Sequence, residues 1–136
     1  MRYAMIAAAL LLASCGEPES ALQPGRWTGT VEFDTSALPK DMPVLAPASA
    51  TIDKCLTKEQ AQQPADFLIG GRDSCDRTGV KVENGRIEGS VRCPPELGGT
   101  SHVSGQYSRT SYQLTITTGG MTGRSKVDRV GECNAG

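Results

Sequence analysis

From Arg26 onward, apolar and polar positions alternate in short runs. Trp27, Gly29, Val31 and Phe33 interleave with Arg26, Thr28, Thr30 and Glu32, the period of two that marks a strand with one buried and one wet face. Residues Ala48 to Cys55 follow the same rule more weakly. The Asn84-Gly85 pair sits inside a stretch from Thr78 to Cys93 that reads as a hairpin. A second hairpin is predicted from His102 to Thr118, where Tyr107 opposes Tyr112, Gly105 opposes Leu114 and Val103 opposes Ile116, so the bulk falls on one face. Gly119-Gly120 then turns the chain into a last strand from about Gly123 to Val130. One helix is predicted: Thr57 and Gln60 have capping-box spacing, Lys58 to Gln63 are acceptable helix formers, and Pro64 stops the element. About seven short strands with one helix describe a mainly β domain, an antiparallel meander curled into a small barrel or a sandwich. The pattern does not separate those two.

The amino-terminal segment breaks the alternation. Arg2 precedes a continuous apolar run from Tyr3 to Ala13, which has the layout of a secretory signal. It is too short for a membrane span, which takes roughly 20 helical residues. Leu12-Ala13-Ser14-Cys15 is similar to a bacterial lipoprotein cleavage box. The resemblance implies that residues 1–14 are a signal peptide and that Cys15 carries the lipid, with enough acyl chains for stable anchoring. The alternative is an ordinary signal peptide that leaves Cys15 as a spare thiol. Gly16, where an aspartate favours inner-membrane retention in such proteins, implies a lipid-anchored protein of the outer membrane facing the periplasm. Residues 15–24 are polar and proline-bounded and read as a tether, leaving 25–136 as a single domain.

Removing Cys15 leaves Cys55, Cys75, Cys93 and Cys133, an even number in a compartment where disulfides persist. Two bridges are expected. Four thiolates could instead hold zinc, but no close C-x-x-C pair is present, and no metal site is expected. Three connectivities are open. Cys75 and Cys93 bracket the first hairpin and form the local candidate, which leaves Cys55 with Cys133. A two-residue turn at Asn84-Gly85 gathers the valines on one face but sets Cys93 opposite Asp76. A three-residue turn aligns the cysteines and scatters the valines. The two-residue register with a bulge near Cys75 is the favoured reading.

Charge and composition narrow the function. With 14 basic against 15 acidic residues and 4% aromatics, nucleic-acid binding is not expected. His102 is the single histidine. Its neighbours Ser101 and Ser104 form no recognisable triad, since adjacent strand residues point to opposite faces. Carboxylates such as Asp53, Asp73, Asp76 and Glu132 could be paired on paper, but 15 acids always offer such pairs. No catalytic residue and no cofactor are expected. Two proline-marked connections are long, Asp34 to Pro47 and Pro94 to Ser101. The first carries Met42, Val44 and Leu45, read either as a partner- or ligand-contacting lip or as cover for an open end of the sheet. Trp27, Phe33, Tyr107 and Tyr112 would line an apolar pocket if the sheet closes as a barrel; structural core is the default reading.

Several short motifs carry a family resemblance: Pro24-Gly25-Arg26-Trp27, Cys55-Leu56-Thr57, the Cys75 and Cys93 pair around a glycine turn, Gly119-Gly120-Met121, and Arg129-Val130-Gly131-Glu132-Cys133. Together they resemble domain-of-unknown-function family 3617, small exported proteobacterial proteins that are often lipoproteins. This chain departs from that pattern at Thr28, where an acid is common, and at Asp128, where a base is common. No activity comes with the resemblance. The expected function is a non-enzymatic binding or interaction domain of the cell envelope, with the membrane as one partner through the lipid anchor and an envelope protein or hydrophobic ligand as the other. The alternatives are a lipocalin-like carrier, or an inhibitor of a periplasmic enzyme such as lysozyme. For the inhibitor, Ser104-Gly105-Gln106-Tyr107 is similar to a serine-glycine-tyrosine loop with the tyrosine one position too close.

Overall fold

The computed structural model describes residues 21–41, 48–70 and 74–134. The leader 1–14, Cys15 and the lip residues Met42, Val44 and Leu45 lie outside the described residues. Seven strands form one antiparallel sheet: β1 (Gly25–Asp34), β2 (Ser49–Leu56), β3 (Val80–Glu83), β4 (Arg86–Arg92), β5 (Thr100–Tyr107), β6 (Ser111–Thr118) and β7 (Met121–Gly131), in spatial order β2-β1-β7-β6-β5-β4-β3. The last five strands run as a meander. The first strand then docks on the last, so β1 lies between β2 and β7.

The hairpin registers follow the alternation. Val82 pairs with Ile87, and Asn84 and Gly85 both take positive φ, 52° and 76°, as a two-residue turn matched to strand twist requires. Tyr107, Gly105 and Val103 face Tyr112, Leu114 and Ile116. Along β3 and β4 the register holds from Glu83 to Val80 and then slips, because Asp76 bridges Arg92 rather than Cys93. That slip of one residue sets Cys75 opposite Cys93, and the two are disulfide-bonded. Cys55 is bonded to Cys133 across 78 residues of sequence. All four thiols are therefore used, and a tetrathiolate zinc site does not form.

The sheet is neither a closed barrel nor one half of a sandwich. Closure would pair β2 with β3, but a helical segment stands in that gap. Thr57 caps α1 (Lys58–Ala61) in a reciprocal box with Gln60, at 3.0 and 3.2 Å. Pro64 does not end the helical region as expected from the sequence. It opens α2 (Pro64–Ile69), because proline lacks only an N–H that the first helical turn leaves unpaired in any case. Lys54 of β2 donates to the Phe67 carbonyl. On the other side, Arg77, just before β3, donates to Asp66 at 3.0 Å and to the Gly70 carbonyl at 3.1 Å. Two cations from opposite edges of the sheet thus hold α2. A short 3₁₀ turn, Pro95–Leu97, shortens the second long connection, so that β5 starts at Thr100.

One sheet face and α2 enclose the core: Leu22, Trp27, Leu56, Phe67, Leu68, Ile87, Val91, Val103, Tyr112, Leu114 and Val127. Trp27, Leu56, Val103 and Val127 are fully buried. Among the described residues, no helix is long and apolar enough to cross a membrane.

Candidate functional site

The two ends of the core face differ. At the end where the chain enters, Leu22 is buried, the Gln23 amide donates to the Arg109 carbonyl at 2.9 Å, and the Trp27 indole donates to the Gln23 carbonyl at 3.1 Å. Trp27, Phe67 and Tyr112 form an aromatic cluster with ring centroids 5.9–6.2 Å apart, in tilted and edge-on arrangements that aromatic pairs favour. The Lys54 ammonium lies 4.3 Å from the Phe67 ring centre. Burial pushes the Lys54 pKa down and raises that of Tyr112 to about 12.

Arg129 completes this corner. Its guanidinium donates to the Pro24 carbonyl at 2.7 Å and to Glu132 at 2.6 Å. Gly25, at φ 144°, lies so close to the Gly131 carbonyl and the Arg129 side chain that no larger residue fits. The Cys55–Cys133 bridge ties the same corner to β2, and Thr57 starts α1 from it. Four segments far apart in sequence are fastened together here by hydrogen bonds, a disulfide and burial.

At the other end of β1, no element among the described residues covers the core face. Val31, Phe33, Ile116, Thr118, Met121, Gly123 and Ser125 surround a cavity of about 150 Å³. Its apolar side chains are half-buried, whereas their counterparts under α2 are closed off from solvent. Gly123 shapes the cavity, since a Cβ there would meet the Phe33 ring at 3.4 Å. A volume of this order takes one aromatic ring or a short aliphatic group. The connection that leaves β1 begins beside it. Asp34 accepts from the Ser36 amide at 2.9 Å, which holds its carboxyl below the usual range, and Leu38 reaches the Gly120 turn.

A protein-family model describing a protein of unknown function, DUF3617, matches residues 22–133. The chain belongs to that family. Searches of curated proteins and of solved structures found no match. Three of the five motifs behind the family resemblance do structural work at the closed corner: Pro24 to Trp27, Cys55 to Thr57 and Arg129 to Cys133 meet there. The Cys75 and Cys93 pair fastens the start of the β3–β4 hairpin instead, and Met121 of Gly119-Gly120-Met121 lines the opening. Thr28 and Asp128 are direct cross-strand partners on β1 and β7, so side chains at these two positions meet on the outer face of the sheet.

Of the candidate binding residues, the structure brings Trp27 and Tyr112 together in the closed core, not at a surface, and Tyr107 is half-buried at the edge of the same cluster. All three pack in or against the hydrophobic core. Phe33 is separated from them and stands at the opening. Sequence reasoning missed Val31, Ile116, Met121 and Gly123 as a group. The signal was available: they continue the core-face alternation past the point that one short helix can cover. Ser104 to Tyr107 lies inside β5, with Ser104 paired to Thr115, and so is not a loop. His102 projects from the outer face, while Ser101 turns inward and bonds Thr118 at 2.6 Å.

Proposed function

We propose that the protein is a non-enzymatic binding module of the bacterial cell envelope, tethered through lipid on Cys15, that engages an apolar group of a partner at the open end of its core face. The observation that carries this reading is the half-buried cluster of Val31, Phe33, Ile116 and Met121 around the cavity of about 150 Å³. Isolated apolar side chains on a surface call for no explanation, but a concave apolar group does. The point at which the described chain enters the fold supports the same reading. The chain docks at Leu22 and Gln23, beside Trp27, whereas the opening lies at the far end of β1. An anchor that reaches the fold through Leu22 would attach at the end opposite the opening.

The cavity size favours a single side chain over a whole lipid, because pockets for larger ligands run to roughly 300–1,000 Å³. This weighs against the lipocalin-like carrier. The inhibitor reading loses the loop on which it rested.

The test has two arms. Mass analysis of the mature protein from its native host should show a chain that starts at an acylated Cys15, and Cys15→Ser should release it from the membrane fraction. A photo-crosslinking residue at Met121 should then capture one partner that Gly123→Val abolishes. An intact leader or unmodified Cys15 removes the anchor, and crosslinks insensitive to Gly123→Val remove the opening as the site.

A further inference from the structure

The outer face of the sheet carries a row of side chains that do not bond to one another. Register places Thr30 beside Lys126, Lys126 beside Gln113, Gln113 beside Gln106 and Gln106 beside Arg86, one residue from each of the strands β1, β7, β6, β5 and β4. All five are exposed. Two shallow hollows, of about 300 and 400 Å³, adjoin through Gln113 and Thr115 and follow this row across the sheet. Among the described residues, none of the five makes a side-chain hydrogen bond or ion pair, although polar side chains elsewhere on the sheet are bonded, as in Arg26 with Asp53 and Thr117 with Thr122. Strands about 4.8 Å apart make the row about 19 Å long. Two glutamine amides at its centre offer paired donors and acceptors, and a cation stands toward each end. The hollows carry three cations, Arg86, Arg124 and Lys126, against two carboxylates, Glu32 and Glu88, on a chain whose net charge is −1.

We infer that this row is a binding site for an extended, carboxylate-bearing glycan strand laid across the sheet. Vicinal hydroxyl and N-acyl groups suit the glutamine amides and Thr30, and carboxylate substituents suit Lys126 and Arg86. The repeat of sites, one per strand, matches an extended polymer better than a compact ligand. The row is a flat polar surface on the opposite face from the opening, so the site stands apart from the proposed partner contact and does not depend on it.

Co-sedimentation of the full lipidated protein, in detergent, with purified cell-wall sacculi tests this, with an insoluble neutral glucan as control. The protein should sediment with sacculi and not with the glucan, less so as salt rises. Gln106→Ala with Gln113→Ala should weaken retention about tenfold, the loss of two net hydrogen bonds, with melting unchanged since both side chains are exposed and unbonded. Lys126→Ala should weaken it less, and Gly123→Val should leave it intact. No sedimentation with sacculi, equal retention of the double variant, or equal binding to neutral glucan overturns the site.

Discussion

The two ends of the core face carry the same alternation and end in opposite states. Trp27 and Phe33 are three strand positions apart on one face of β1; the first is fully buried under α2 and the second is half-buried beside the cavity. The difference lies outside the strand. One helix of six residues covers only one end of a seven-stranded sheet, and the cations and disulfide that fasten it all sit at that end. What fastens the described fold is thus gathered at one end, and a position on β1 is sealed or half-buried according to its distance from that end.

The largest effect should separate the two ends directly. Trp27→Ala should cost about 3–5 kcal/mol in denaturant unfolding, the range for emptying a buried aromatic site, whereas Phe33→Ala should cost under about 1.5 kcal/mol. Equal losses would mean that the opening is as much a part of the core as the corner. Next, replacing Cys55 and Cys133 together by serine should cost about 4 kcal/mol, and replacing Cys75 and Cys93 about 3 kcal/mol, since the first loop is longer. The reverse order of midpoints would show that the hairpin, not the corner, limits unfolding.

A smaller loss, about 1–2 kcal/mol, is expected for Lys54→Met, which removes a cation from the Phe67 carbonyl and ring. Faster amide exchange confined to the amides of α2 would place the loss there, and uniform acceleration would count against α2 as a separately held cover. The smallest effect is on pH dependence. Tyr112 has a raised pKa in the folded state, about 12 against an ordinary value near 10. The protonated phenol therefore stabilises the fold fully below pH 10, and this contribution is lost as pH rises through 12. Lys54, whose pKa is lowered, works in the opposite sense: its buried charge costs stability at lower pH, and the cost fades as pH approaches its unfolded value. Tyr112→Phe should flatten the alkaline loss in a pH series of melting curves, and an unchanged series would show that the ring is not desolvated.

Local pattern made much of the fold legible. The two-residue turn at Asn84-Gly85, the facing of Tyr107 with Tyr112 and the Thr57 cap each involve residues close in sequence, where spacing alone determines who meets. The bulge that aligns Cys75 with Cys93 was readable too, because valine burial and disulfide geometry made incompatible demands that one extra residue reconciles. Pro64 was misread since the same ring that ends one helix can start the next. The opening escaped notice for a different reason: Val31, Phe33, Ile116 and Met121 look like any other core positions until the reach of the covering helix is known.

The sequence by itself determined the strands, their faces, the hairpin registers and the supply of cysteines, all set by backbone periodicity and short-range turn chemistry. Only the tertiary structure decided that β1 joins β7, that α2 rather than β-pairing fills the gap between β2 and β3, and that α2 reaches one end of the apolar face and not the other. Those outcomes depend on which distant segments compete for the same surface, and alternation along a chain records that a side chain must be buried without recording what buries it.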